Sequence, residues 1–359
     1  MSSWRCRVAV AALGAGCGRV HFVDTGGHNV VFATSATFGG DLGGLTGADA
    51  ICQSAAESAK LPGTFVAWLS TSTVDAASRL VLPGTTTRAR GWVRTDGKPV
   101  SDTVFDLLSG AMYYPIALDE SGADLRAMNH VNTGTVAGGA LDPSATQCSD
   151  WTAADAAQMY TRGDLGRTTQ NWTNIGTINC ATGLGHLYCF QVDYDTPLAV
   201  TPADGRIAFL SAGKLDPSKG IATADALCAS EAQAQALPGT FLAMLSTQAQ
   251  AAAARFDGAQ ATWVRTDGIA LAASAAAVLA AQLDTPLNVD AAGAYHSGQV
   301  WCGSSSPGTP AAAADDCGDW TSGAPGQQGL TGASSSSAAA FGATTNTCST
   351  PLEVYCLQK

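Results

Sequence analysis

Cysteine is the residue type whose number and spacing in this sequence most clearly predict chemistry. The chain of 359 residues has 11 cysteines, many for a reduced cytosolic protein, and this favours disulfides and an oxidising compartment. Eight of them occupy matching places in two halves of the chain: Cys52, Cys148, Cys180 and Cys189, then Cys228, Cys317, Cys348 and Cys356. Four cysteines in each half allow three pairings, and spacing alone does not choose among them.

Cys302 lacks a matching cysteine in the first half and is the free-thiol candidate of this region. It could be a reactive or intermolecular thiol, a buried inert thiol, or an alternative partner for Cys317. Of these, the buried thiol and the alternative pairing are the simpler interpretations.

The remaining residue types give little indication of catalysis. Asp150 and Asp319 stand beside Trp151 and Trp320, which permits an acid/base role but also a polar turn next to a core indole. The five histidines form no zinc-protease motif, and neither a serine elbow nor a Walker A loop occurs. We therefore predict no catalytic residues, no metal site, no cofactor and no enzymatic activity.

The N-terminus has the features of an export signal. Arg5 and Arg7 precede a short apolar stretch over residues 8–16, which ends in small residues before Cys17. This pattern predicts a signal peptide over 1–16, lipidation of Cys17 and a tether over 17–28. A plain cleaved signal or an uncleaved core segment are the alternatives. The expected location is a bacterial outer membrane, as a lipoprotein, or the cell surface, with the lipid as membrane contact.

Composition excludes several classes of partner. The formal net charge is −11, and only 13% of residues are charged. An acidic chain of this kind argues against nucleic acid, heparin and anionic membrane surfaces as partners. The sequence also lacks the run of about 20 apolar residues that a transmembrane helix needs.

An internal repeat divides the rest of the chain. The sequence LPGTF at 61–65 recurs at 237–241, and WVRTDG at 92–97 recurs at 263–268. The number of residues between a position in the first copy and its match in the second decreases steadily along the chain, as loop deletions in the second copy would produce. We place module 1 at 29–192, a linker at 193–205 and module 2 at 206–358, and we expect each module to fold as a separate unit.

Within each copy the pattern predicts an α+β fold. Ala48, Ile51 and Cys52 recur at helical spacing, with Thr46 and Asp49 as a loose capping box at the helix start. The apolar run 65–69 predicts a buried strand, and residues 186–190 predict a terminal strand. Long Gly-, Ser-, Asn- and Thr-rich stretches lie between them and predict irregular, disulfide-held loops.

The order of these motifs resembles a known family. The run GGLTGAD at 43–49, then Cys52, then LPGTFVAWLS at 61–70 is similar to the endostatin domain of collagens. It is more similar still to bacterial secreted endostatin-like domains of unknown function. The resemblance implies two tandem C-type-lectin-like modules, each an antiparallel sheet with two helices and long loops. It also implies nested disulfides, Cys52–Cys189 around Cys148–Cys180 and Cys228–Cys356 around Cys317–Cys348.

The departures from the family limit its functional implications. The acidic surface argues against heparin binding, no matching histidine cluster supports zinc, and the tripeptides of calcium-dependent lectins do not occur. We therefore expect a surface binding or adhesion protein that recognises an extracellular glycan or protein. An extracellular hydrolase and a structural envelope protein without a soluble ligand are the alternatives.

Irregular loops on a rigid frame are the expected contact surface. They lie between residues 132 and 174 in module 1 and between 301 and 346 in module 2. The ligand-binding candidates are Trp172, with Asn171 and Asn174 beside it, and Trp301. Trp172 could stack on a sugar or peptide, although core packing is the simpler interpretation of an indole.

Overall fold

The computed structural model describes residues 27–127 and 130–359 and has one sheet in each copy of the repeat. The predicted signal peptide and the lipidation candidate Cys17 lie outside the described residues. Helices and long loops surround both sheets, so the α+β class is confirmed. The expectation of an antiparallel sheet in each module is wrong, because both sheets also contain parallel strand pairs.

Module 1 is built around its last strand. Its strands are β1 (Asn29–Ala33), β2 (Phe65–Ala67), β3 (Trp92–Val93), β4 (Pro99–Ser101), β5 (Val131–Asn132), β6 (Met159–Gly163), β7 (Thr177–Asn179) and β8 (His186–Gln191). The sheet order is β4-β3-β1-β8-β5-β6-β7, and β2 also pairs with β8. All six residues of β8 are buried, because neighbours cover both its edges and both its faces.

Module 2 repeats this order. Its strands are β9 (Arg206–Leu210), β10 (Phe241–Ala243), β11 (Trp263–Arg265), β12 (Gln299–Trp301), β13 (Gln328–Ala333), β14 (Thr344–Thr347) and β15 (Glu353–Gln358). The order β11-β9-β15-β12-β13-β14, with β10 on β15, matches module 1 strand for strand apart from β4. The same sequence pattern therefore specifies the same pairing twice.

Alternation along the central strand divides each module into two cores. Tyr188 and Phe190 point into a cluster with Trp68 and Trp172 on one face of the sheet. Leu187 and Cys189 point into the cluster on the other face, which includes the buried residues of the first helix. Successive side chains of a strand point to opposite faces, and this alternation gives module 2 the same two clusters.

Right-handed α-helices cover the sheets. In the described part of the chain they are α1 (Gly44–Ser58), α2 (Val104–Ser109), α3 (Ile221–Ala234) and α4 (Ala275–Leu279). The predicted helix around Cys52 is confirmed as α1, which buries Ala48, Cys52 and Ala56 at a spacing of four residues.

The predicted capping box of α1 is wrong. The helix begins after Gly43, whose φ of 74° favours glycine, and no side chain caps it. Asp49 instead accepts a hydrogen bond from the Ala67 backbone N–H at 2.9 Å and pairs with Arg79 at 2.6 Å. Module 2 repeats this contact through Asp225 and Arg255, so the acid fixes the helix to a strand rather than to its own first turn.

Disulfides join the helix and the loops to each sheet. Cys52 pairs with Cys189 and Cys228 with Cys356, each linking a helix to the central strand. The second pair in each module closes a loop: Cys148 with Cys180, and Cys317 with Cys348. This is the nested arrangement that the resemblance implies. Each bridge contributes about 3–5 kcal/mol on the chain-entropy view.

The two modules contact each other through an interface with local two-fold character, formed by residues 166–168 and 335–337. We call this interface the joint. The Thr168 N–H donates to the Ser335 oxygen at 2.9 Å, and the Ser337 N–H donates to the Gly166 oxygen at 2.9 Å. These segments follow the matching strands β6 and β13. The donors Thr168 and Ser337 therefore occupy equivalent positions in the two modules, and so do the acceptors Gly166 and Ser335. The modules therefore contact each other through equivalent surfaces.

Buried side chains extend the joint. Asn288 Nδ2 donates to Thr168 Oγ1 at 3.1 Å, and both residues are fully buried. Thr285 Oγ1 donates to the Tyr113 oxygen at 2.5 Å. The buried polar groups are thus paired across the joint, as close packing away from water requires.

Candidate functional site

Trp172 is a core residue, so its assignment as a ligand-binding residue is wrong. Its side chain is 1% exposed and packs on Trp68, with ring centres 4.9 Å apart, and on Tyr188 at 5.5 Å. Its indole N–H donates to the Leu107 oxygen at 3.2 Å. The indole fills the space between α2 and the sheet and presents no face to a ligand.

The other loop candidates do not form a site with it. Trp301 is fully buried against Trp320, with ring centres 5.8 Å apart, so its ligand-binding assignment is also wrong. Asn171 and Asn174 are half-buried, and Asn174 Nδ2 lies 3.3 Å from Asp142 Oδ2. Segments inside the predicted contact region, residues 166–168 and 335–337, are used by the joint between the modules.

Asp150 and Asp319 belong to a strained turn that both modules share. Residues 147–151 and 317–320 have φ between 49° and 66°, a left-handed turn that costs about 1–2 kcal/mol per non-glycine residue. Asp150 accepts from the Ser72 N–H at 2.7 Å, and Asp319 accepts from the Gln248 N–H at 3.0 Å. The acids thus hold neighbouring loops in place, which is the polar-turn interpretation.

Buried indoles and disulfides hold the same turn from the inside. The Trp151 indole N–H donates to the Ser70 oxygen, and the Trp320 indole N–H donates to the Ser246 oxygen, each at 2.8 Å. The first residue of each Cys-x-Asp-Trp motif forms the loop disulfide. The motif is therefore a structural element of the frame.

Cys302 is a free, buried thiol. Its sulfur lies 3.4 Å from the Val300 oxygen and 3.6 Å from the Ala340 oxygen. Burial raises the pKa of the thiol to about 12, so little thiolate forms at neutral pH and the group is unreactive. The pairing of Cys317 with Cys348 leaves it without a disulfide partner among the described residues.

A cleft of about 380 Å³ lies where the two modules and the linker meet. Module 1 contributes Lys98, Pro99 and Tyr114, the linker contributes residues 198–201 and 203, and module 2 contributes residues 268–270. The turns at Lys98 and Ile269 follow the repeated WVRTDG sequence, so matching turns face each other across the cleft. Its size is within the range of small-ligand sites.

The chemistry of this junction cleft is mainly apolar with a few oriented polar groups. Lys98 Nζ pairs with Asp284 of module 2 at 2.9 Å and lies 5.1 Å from the centre of the Tyr114 ring. The Tyr114 hydroxyl donates to the Ala270 oxygen at 3.2 Å, and burial raises the pKa of this phenol. The polar groups of the wall are therefore held by both modules at once.

A buried ion pair supports the module 2 side of this junction. Arg265 is fully buried and pairs with Asp267 at 2.5 Å, and it also donates to Asn288 Oδ1 at 3.0 Å. Burial acts to raise the pKa of Asp267, but Arg265 and the Tyr295 hydroxyl lower it overall. The carboxylate therefore stays charged and fixes the guanidinium beneath the joint.

One histidine contacts two carboxyl groups in module 2. His296 Nε2 lies 2.9 Å from Asp290 Oδ2, and His296 Nδ1 lies 4.0 Å from Glu353 Oε1. Burial raises the pKa of Glu353, and its Oε2 is enclosed without a described partner. An Asp–His pair can act as a general base, but the second ring nitrogen faces the Glu353 carboxyl, and no described hydroxyl or thiol bonds to it.

Neither a protein-family profile nor a curated protein matches the chain. Within residues 27–127 and 130–359, no group of three or more His, Cys, Asp and Glu side chains is placed to hold a metal ion. None of the helices in that part of the chain is long and apolar enough to cross a membrane.

Sequence reasoning missed the junction cleft. Its polar residues Lys98 and Tyr114 stand in no motif, and Asp284, which pairs with Lys98, belongs to the other module. The available indication was the repeated WVRTDG turn, which recurs with its arginine and aspartate and is adjacent to the cleft in both modules. The arginine of this repeated turn is buried in both modules.

Proposed function

We propose that the protein is an exported, lipid-anchored surface protein that binds an extracellular glycan or protein ligand. The observation that carries this proposal is the junction cleft, which both modules and the linker line. Ligand sites occur preferentially at domain interfaces, with apolar walls and a few placed polar groups. The four disulfides of the described residues indicate an oxidising compartment.

The fold behind this function is, in our proposal, a pair of C-type-lectin-like modules of the endostatin type. The matching strand order of the modules and the nested disulfides support it. So does the antiparallel pairing of the first strand of each module with its last. Fold alone does not assign a ligand, so the ligand class depends on the cleft and its experiment.

Glycan and protein arrays with the mature protein test the proposal. Once a ligand is retained, Ala199→Trp should reduce its affinity about tenfold or more, because Ala199 is exposed in the cleft and an indole would fill it. Ala181→Trp is the matched control, an exposed alanine outside the cleft, and should bind normally.

Three results would contradict the proposal. Arrays that retain no ligand argue against a binding protein, and equal affinity of both tryptophan variants places the site elsewhere. Cleavage of a retained ligand would favour the hydrolase alternative.

Membrane attachment is tested separately through Cys17. Metabolic labelling with a fatty-acid probe should tag the wild-type protein and leave Cys17→Ala unlabelled. Equal labelling of the two proteins would refute lipidation at this residue while leaving the binding proposal intact.

A further inference from the structure

Three basic residues lie at neighbouring positions at one corner of module 1, outside the junction cleft. Asn132 of β5 lies opposite Arg162 of β6, and Val131 lies opposite His186 of β8. His130 directly precedes β5, and its backbone oxygen accepts from the His186 N–H at 3.0 Å. The sheet therefore places the backbones of His130, Arg162 and His186 at neighbouring positions, with the Arg162 side chain on the face opposite to that of His186; we call this set the basic corner.

The Arg162 charge is not neutralised by any described residue. Its Nη1 lies against His130 Nε2, and its Nε is buried without a described hydrogen-bond partner. Among the described residues no carboxylate lies within 4.0 Å of this guanidinium. The neighbouring acid, Asp164, is paired with Arg167 at 2.9 Å.

The two imidazoles do not supply the missing negative charge. His186 is 3% exposed, and its Nδ1 lies 2.5 Å from the Thr34 oxygen, so this ring is fixed. Burial and the Arg162 charge lower the pKa of His130, which leaves a neutral ring that accepts from the guanidinium. In a chain with 29 acidic residues and 18 basic ones, a half-buried cation without an acidic partner is unexpected.

Module 2 has residues of different charge at the positions equivalent to the basic corner. Gln299 stands where module 1 has His130, Thr331 where it has Arg162, and Glu353 where it has His186. This corner of module 2 is neutral and acidic. The frame therefore does not need the cationic set, because the same fold forms without it.

We propose that the basic corner binds a single oxyanion, either a phosphate or a carboxylate. The planar guanidinium presents paired N–H donors that match the two oxygens of such a group, and the enclosed Nε–H supplies an unused donor. Of this set only Arg162 falls within the region 132–174, and the site stands independently of the junction cleft and of the proposed function.

The test uses the mature protein with inorganic phosphate, sodium acetate and sodium glucuronate, each at constant ionic strength against chloride. A ligand that binds the folded state raises the melting temperature with its concentration. We expect phosphate or one carboxylate to do so beyond chloride, and the ranking of the probes identifies the source of the oxyanion. In parallel, the NMR signal of the Arg162 Nε–H should shift with the same probe.

Arg162→Gln should weaken this binding about tenfold or more, since charge-assisted hydrogen bonds are lost. Arg88→Gln is the control, because Arg88 is exposed, lies in the same module and is also without a described ion pair. If Arg162→Gln does not fold, the NMR shift in the wild-type protein decides the question. Two outcomes overturn the proposal: no probe exceeds chloride and the Nε–H signal stays unmoved, or Arg162→Gln binds as well as Arg88→Gln.

Discussion

Module 1 and module 2 share one backbone architecture, which we call the frame, and differ in the side chains at several equivalent positions. Both have the same strand order, nested disulfides and a left-handed Cys-x-Asp-Trp turn. The side chains differ, however: Trp172 packs on Tyr188 where Phe341 packs on the matching Tyr355. Cys302 replaces Thr133, and Thr331 replaces Arg162. The shared residues fix the backbone, whereas the differing ones set core volume and surface charge.

The comparison of the two modules shows which contacts the fold requires. Groups that hold backbone in both modules, such as Asp49 with Arg79 and Asp225 with Arg255, are part of the frame. Groups present in one module, such as the basic corner, are free to serve binding. Substitutions at matching positions can therefore separate structural from functional roles.

The largest effect is expected for the aromatic pair Trp172 and Phe341. Trp172→Ala removes a fully buried indole and should lower the free energy of unfolding by about 4 kcal/mol. Phe341→Ala should lower it less, because Phe341 is only partly buried against Tyr355. Chemical denaturation of both variants measures this. Unchanged stability of Trp172→Ala would mean that the indole is a surface group after all.

A smaller difference in stability between the two modules is expected when the arginine of the repeated ion pair is replaced. Arg265→Met leaves Asp267, whose side chain is 14% exposed, without its buried partner and should cost about 3 kcal/mol. Arg94→Met should cost less, because the Asp96 side chain is 34% exposed and water can solvate it. Urea unfolding of the two variants measures the loss of unfolding free energy. Equal losses would show that the burial of the aspartate does not set the contribution of the ion pair.

The smallest effect concerns Glu353, which has His186 as its module 1 counterpart. Burial raises the pKa of Glu353, so the folded protein holds this proton to higher pH than the unfolded chain does. Stability from this group is present at low pH and is lost as pH rises through the folded pKa. Glu353→Gln should remove that loss and raise Tm by roughly 1–2 °C at neutral pH. A variant less stable than wild type at neutral pH would contradict this.

Local pattern predicted the frame well, because the frame depends on local periodicity. The helix around Cys52, the strand at Phe65 and the closing strand from His186 follow from apolar spacing and are present in the structure. The α1 start was mispredicted because Asp49 serves a strand 18 residues away. No local pattern in the sequence predicts such a partner.

The joint and the cleft could not be predicted, because they depend on contacts between distant segments. The serines 334–337 have the composition of an exposed loop, yet all four are at most 2% exposed. They are buried because Gly166 and Thr168 of the other module pair with their backbone. Trp172 was ambiguous for the same reason, since an indole in a polar stretch is placed only by its tertiary neighbours.

A cross-link across the joint tests most directly whether the two modules form one unit. Arg167 and Ser336 face each other as an antiparallel bridge between the modules, a separation of Cα atoms within the range that a disulfide spans. Arg167→Cys with Ser336→Cys should oxidise readily to an intramolecular bridge, raise Tm and keep ligand binding, with each single variant as control. A double variant that stays reduced under oxidising conditions, or that links only between molecules, would contradict the docked arrangement.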